Sequence, residues 1–264
     1  MIRLLAGVML ISSLLPAQQA PVARRRVNAP TAFYDDAEIV AAGWMNAGMY
    51  YSYTKVPAGR DLSFPSAYVA VGLNKRVGIS GSISYARSQF EESRINARGD
   101  SSLAAKFLIL PEGERRPAVA VEPMIEVLGD ASIGNSPLSP DRVNYVFPLI
   151  LQKSFDSFRT YCTMGYLTRG IIFNSFVFEG NKWSRVTPIV IVAGSRLTSE
   201  LAFISELGLN RSRVDLVGGA VVAIRPGLAV FASTGRSFGR VDLNSTRYRA
   251  TVGLSFNARL WGDN

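Results

Sequence analysis

Histidine is absent from the 264 residues, and cysteine occurs once, at Cys162. The first absence excludes Ser-His-Asp and Cys-His catalysis, the HExxH zinc site and His-ligated haem. The second excludes an intramolecular disulfide and a CxxC site, so Cys162 reads as a small apolar strand residue. Charged residues make up only 19% of the chain. Beyond the first twenty residues, no apolar run approaches the about 20 residues that a membrane helix needs. GxSxG, phosphate-loop and dinucleotide fingerprints are missing too, and no metal or other cofactor is implied. What is present is 48% hydrophobic and 10% aromatic residues with 23 glycines and 13 prolines. That balance suits a turn-rich β protein and not a disordered chain.

Met1 to Ala20 (MIRLLAGVMLISSLLPAQQA) has one charge, Arg3, then an apolar run from Leu4 to Leu15 and small residues at Pro16-Ala17. This is the pattern of a cleavable secretory signal peptide, with cleavage after Ala17 or Ala20, and it predicts export. Residues 21–42 follow as an N-terminal periplasmic arm or inward plug. Their Arg24-Arg25-Arg26 triplet reads as a solvated arm, and nothing points to nucleic acid.

From Gly43 onward the repeating signal is period-2 alternation, the mark of strands with two different faces. Val77, Ile79, Ile83 and Tyr85 alternate with Gly78, Ser80, Ser82 and Ser84. Tyr248, Val252, Leu254 and Phe256 alternate with Arg249, Thr251, Gly253 and Ser255. A soluble sandwich would bury the apolar face, whereas a membrane barrel would turn it toward lipid. Three features favour the barrel. The strands reach about ten residues, the length a tilted strand needs to cross a bilayer. The polar face is rich in Gly and Ser, and the links alternate between short and long.

The fold class expected is therefore all-β, a closed antiparallel transmembrane β-barrel over residues 43–261, with 262–264 as an overhang. The segmentation is 43–56, 65–75, 76–88, 99–110, 117–129, 142–154, 157–179, 184–194, 197–209, 213–225, 227–237 and 245–261. That gives about twelve strands, ten to fourteen being compatible, and an even number suits a bacterial barrel. Tight turns near Asn74-Lys75, Pro111-Gly113, Ser154-Asp156, Gly194-Ser195 and Pro226-Gly227 fall on the periplasmic side. Longer links at 57–64, 89–98, 130–141 and 238–244 fall outside. Aromatic residues at strand ends, among them Tyr145, Phe147, Phe238, Tyr248 and Trp261, form the girdles of such a barrel.

Lys106, Glu122, Glu126, Glu200, Glu206, Asp215, Arg247, Arg249 and Arg259 fall on the proposed lumen face. Register about the Pro111 turn sets Lys106 opposite Glu122, about 5 Å away and within ion-pair reach. Such charges either form a constriction that selects solutes or neutralise one another in a narrow interior. Tyr50, Tyr68 and Phe231 offer an aromatic lining, or simply pack the interior. Paired carboxylates at Glu122 and Glu126 suggest a glycosidase. Four residues along one strand span about 13 Å, however, beyond the roughly 5–9.5 Å such enzymes use. No enzyme is expected.

Gly99-Asp100-Ser101-Ser102-Leu103-Ala104-Ala105-Lys106-Phe107, followed by Arg116-Pro117-Ala118-Val119-Ala120, resembles a known group. It is the family of outer-membrane barrel transporters named for the meta-cleavage pathway of phenol degradation. Met164-Gly165-Tyr166 and Ser233-Thr234-Gly235-Arg236-Ser237 are similar to strand ends of that family. The resemblance spans most of residues 43–261 and rests on structural motifs. It implies a closed outer-membrane barrel that passes or binds hydrophobic or aromatic compounds, with no catalytic residues. Outer-membrane barrels usually end on an aromatic residue, whereas Trp261 is followed here by Gly262-Asp263-Asn264.

These readings predict a channel or transporter for small solutes in the outer membrane of a Gram-negative-type bacterium. Its partners would be outer-membrane lipids and the barrel-assembly and periplasmic chaperone machinery. The rivals are a non-conducting barrel with a structural or surface role, and an exported soluble β-sandwich that binds a ligand.

Overall fold

A strand whose two faces differ must put one face against each of two environments, and a closed sheet does so without leaving an edge. The computed structural model describes residues 36–57, 59–90, 93–133, 143–167, 171–180, 186–197, 213–238 and 247–261. In chain order the strand segments are β1 (Trp44–Val56), β2 (Gly59–Gly72), β3 (Val77–Phe90), β4 (Ser93–Arg98), β5 (Ser101–Leu110), β6 (Ala118–Val121) and β7 (Met124–Val127). After one helical turn, α1 (Asp130–Ile133), come β8 (Val143–Ser154), β9 (Phe158–Leu167), β10 (Ile171–Gly180) and β11 (Val186–Leu197). The set ends with β12 (Arg213–Arg225), β13 (Leu228–Phe238) and β14 (Tyr248–Arg259).

Segments β4 and β5 lie end to end along β3, and β6 and β7 lie end to end between β5 and β8. The fourteen segments are thus twelve staves, each antiparallel to its neighbours. The wall closes where β1 pairs with β14, from Trp44 opposite Arg259 to Lys55 opposite Tyr248.

Both interruptions have local causes. Between β6 and β7 stands Pro123, which has no N–H to give the ladder. The pairing nevertheless continues through it, because Ala105 N donates to Pro123 O (3.1 Å) and Glu122 N donates to Pro148 O (3.1 Å). Between β4 and β5 the register against β3 slips by one residue at Gly99-Asp100. Gly99 N donates to Ser84 O (2.9 Å), and the Asp100 carboxylate accepts from Gly129 N (3.0 Å). A side chain at Gly129 would overlap the carbonyls of Arg98 and Gly99. The Gly-Asp pair of the sequence motif is therefore a bulge with its own clamp.

The first and last staves meet at one mouth, the near mouth, where Leu260 N and Trp261 N both donate to Gly43 O (2.8 and 3.2 Å). Successive strands are joined at the near mouth through 73–76, 111–117, 155–157, 181–185 and 226–227, and at the far mouth through 57–58, 91–92, 128–142, 168–170, 198–212 and 239–247. Three expectations are corrected. The loops expected at 57–64 and 89–98 are mostly strand, since β2 starts at Gly59 and β3 runs into β4. The strand expected at 157–179 is two strands, β9 and β10. Gly194-Ser195, expected as a turn, lies inside β11, which pairs directly with β12. No stave stands between those two, and residues 198–209 of the strand expected there lie outside the described ones, as do residues 1–20, expected as a signal peptide, and 262–264.

Many large apolar side chains face outward. Ile83 is 64% exposed, Leu103 63% and Leu254 54%, while Ser66 and Ser255 are fully buried inside. This is the inverse of a soluble sandwich and the arrangement of a membrane-spanning barrel. A Leu103→Arg substitution will therefore lower unfolding stability by about 2–4 kcal/mol in lipid vesicles, the cost of a cation on the lipid face. On an exposed face in water the same change would stay within about 0.5 kcal/mol. Urea unfolding in vesicles distinguishes the two.

Candidate channel lumen

The near half of the lumen is crossed by the chain's own N-terminal segment. Residues Asp36 to Ala42 run inside the wall, with Asp36 and Ala37 buried. One end docks on β8–β10. Ala37 N donates to Gln152 Oε1 (3.0 Å), and its methyl packs with Ala118, Ala120 and Ile150. The other end joins the opposite side of the ring: Ala42 bridges Gly72, and Gly43 N donates to Gly72 O (2.9 Å). A side chain at Gly72 would overlap the Val40 and Ala41 carbonyls. The segment is a strap across the diameter.

Arg159 on β9 holds the strap. Its Nη2 lies 2.8 Å from Asp36 Oδ2 and 2.6 Å from Glu179 Oε2, and its Nη1 lies 3.0 Å from Glu38 Oε1. Nε also donates to Glu179 Oε2 (2.6 Å), and the guanidinium carbon sits 5.6 Å from the Tyr161 ring centroid. A planar fork with five donors suits three carboxylates at once, which an ammonium does not. Lys106 adds a second hold, donating from Nζ to Asp36 O (2.8 Å) with Glu122 Oε2 at 3.7 Å. The Lys106–Glu122 pairing is the one register arithmetic sets up about the Pro111 turn.

The other candidates are spread along the lumen. Glu126 accepts from Asn144 Nδ2 (2.8 Å) and Asp215 accepts from Ser237 Oγ (2.5 Å), both in the far half. Arg249 is half-buried on β14, whereas Arg247 and Arg259 are exposed at the two ends of that stave and stand at the rims. Glu200 and Glu206 lie outside the described residues. Tyr68 folds over Gly48 and Phe231 over Gly253, positions where a side chain would overlap their rings. The Tyr50 and Phe231 centroids are 6.4 Å apart. These aromatic residues pack against the wall beside a cavity of about 130 Å³ bounded by Glu38, Tyr50, Tyr68, Lys106 and Glu122. On the far side of the interior, Tyr161, Val177, Ile191 and Val217 form an apolar stripe.

Sequence reasoning missed Asp36, Glu38, Gln152, Arg159 and Glu179. For the Arg159–Glu179 pair the signal existed. Once 157–179 is split at residues 168–170, the two residues face each other across the hairpin.

No protein-family model matches the sequence, and no curated protein does. Solved structures do. An outer membrane channel from Pseudomonas putida F1 is 8% identical with a TM-score of 0.63, the match covering 88% of this chain and 100% of that one. The NanC porin is 9% identical (TM-score 0.57, 80% and 98% covered), and the KdgM porin is 10% identical (TM-score 0.53, 79% and 98%). The fold is that of the outer-membrane channels and porins. At these identities the likeness concerns architecture, and the strap chemistry above is read from this chain alone.

Removing Arg159 would leave Asp36 and Glu179 as buried carboxylates without their shared cation. Arg159→Ala is expected to cost about 3–5 kcal/mol of stability and to free the strap for proteolysis near Asp36. Arg159→Lys is expected to recover only part of that loss. The check is the temperature at which heat-modifiable migration is lost, with protease mapping alongside.

Proposed function

We propose that this protein is an outer-membrane channel or transporter for small solutes, with the strap as its narrowest point. The observation that carries the reading is a closed wall of twelve staves with an apolar outside and a charged inside. Eight staves leave space that side chains fill, and sixteen leave an open aqueous pore, so twelve supports a narrow path. The inner wall pairs an apolar stripe (Tyr161, Val177, Ile191, Val217) with a polar side bearing Tyr50, Lys106 and Glu122. Such a lining favours small amphipathic or aromatic solutes, in keeping with the phenol-pathway family that residues 99–120 resemble. The near mouth faces the periplasm, because the longest links, 128–142, 198–212 and 239–247, all leave from the far mouth. Outer-membrane lipids and the chaperone and barrel-assembly machinery are the partners this location requires.

A second reading has one observation in its favour. The strap and the rings packed beside it occupy much of the near half, which would suit a non-conducting barrel with a structural or surface role.

Single-channel recording with the full chain in planar bilayers separates the two. The channel reading expects small, fluctuating conductance, and a longer open time or severalfold larger conductance in an Asp36→Asn/Glu38→Gln variant. If neither protein conducts while both keep heat-modifiable migration, the structural reading stands instead.

A further inference from the structure

Beyond the lumen, the densest unexplained charge lies outside the wall, at the far ends of β1 to β4. Lys55 stands opposite Arg60, Arg60 opposite Gln89, and Gln89 opposite Arg94, so one outward row crosses four strands. One step toward the barrel's middle, the next row is Tyr53, Leu62, Arg87 and Asn96. In the row below that, Tyr85 lies opposite Arg98. All five cations are exposed.

Lys55 and Arg60 are like charges directly opposed, about 5 Å apart in such a pairing, which is destabilising unless an anion lies between them. Arg60 donates from Nε and Nη2 to Gln89 Oε1 (3.0 and 2.7 Å), a neutral acceptor that leaves its charge unbalanced. Asp61, the neighbouring acid, alternates to the inner face. Among the described residues none of the five cations has an acidic partner; Glu91 and Glu92 of the intervening hairpin lie outside those residues.

Height on the barrel narrows the choice of anion. Tyr51 and Phe64 are in ring contact at 6.0 Å, as are Tyr53 and Tyr248 at 6.4 Å. Aromatic belts mark the headgroup level of a membrane, and the cationic row lies at and just beyond this one. Guanidinium forks match phosphate bidentately. We infer that this face binds the phosphate groups of a phosphorylated glycolipid of the outer leaflet, of the lipopolysaccharide kind. The inference rests on the proposed location, with the far mouth outward.

The test uses the full chain in detergent, with bis-phosphorylated lipid A as probe and binding read by native mass spectrometry. Wild type is expected to bind it, and a Lys55→Gln/Arg60→Gln/Arg87→Gln/Arg94→Gln variant to bind about tenfold or more weakly, while an Arg225→Gln near-mouth control is unchanged. Heat-modifiable migration shows that each variant is folded. Should the fourfold variant not fold, Arg60→Gln and Arg94→Gln singly are expected to lose about twofold or more each. Equal binding of lipid A stripped of its phosphates, displacement by inorganic phosphate alone, or undiminished binding by the folded variants would overturn the site. Orientation is tested separately by labelling Arg94→Cys on intact cells with an impermeant maleimide. No labelling above the wild-type Cys162 background would overturn the location itself. Labelling together with phosphate-independent binding would overturn the lipid site only.

Discussion

A backbone amide within hydrocarbon has no water to turn to, so every N–H and C=O along the outer wall must find a partner in the sheet. That requirement explains why the two interrupted staves are repaired as they are. At Pro123 the ladder loses a donor, yet the carbonyl of Pro123 still accepts from Ala105. At Gly99-Asp100 the slip of one residue is absorbed by a side-chain oxygen that takes up the Gly129 amide. Side chains on the outer surface have only to be apolar, and they vary freely in size. Inside, where staves and strap share little room, glycines and serines such as Gly48, Ser66, Gly253 and Ser255 make space for the larger side chains.

The strap obeys the same logic with charge in place of backbone. Burying Asp36 and Glu179 is unfavourable unless a cation is buried with them, and Arg159 meets that need with a single planar group. Because the guanidinium is shared between wall (Glu179) and strap (Asp36 and Glu38), the wall partner keeps it from being left alone when the strap moves. A displaced strap would carry its two carboxylates back toward water, where their ionised forms are at ease. The arrangement therefore holds firmly without being irreversible. Hydrophobic contact at this end is small, since what docks on Ala118, Ala120 and Ile150 is the methyl of Ala37.

The alternation along residues 77–85 and 248–256 made the inside-out wall legible, because a period of two over about ten residues has few other physical solutions. Strand ends were harder. Beyond the apolar band both faces of a strand meet polar surroundings, so 57–64 and 89–98 read as loops, although Gly59–Ser63, Gln89, Phe90 and Ser93–Arg98 are paired. The count of twelve is the expected one although 157–179 holds two strands in place of one, because β11 pairs directly with β12 and no additional stave enters the wall between them. The strap was least legible of all. Clustered acids are ordinary in a solvated arm, and Asp36 and Glu38 flank a single alanine with no period to mark them. Only the position of Arg159 in three dimensions gives them a role.

The Gly43 carbonyl, which receives both Leu260 and Trp261, joins staves that are the most distant in sequence. Until the twelfth stave arrives, β1 and β14 are bare edges, each a template for any other strand. Closure cannot proceed gradually from one hairpin to the next, because the seam is a single long-range pairing whose entropic cost falls at the end of the process. The cell must therefore keep a nearly complete sheet away from its neighbours until its two margins meet, and the Gly43 latch is the buckle that ends this exposure.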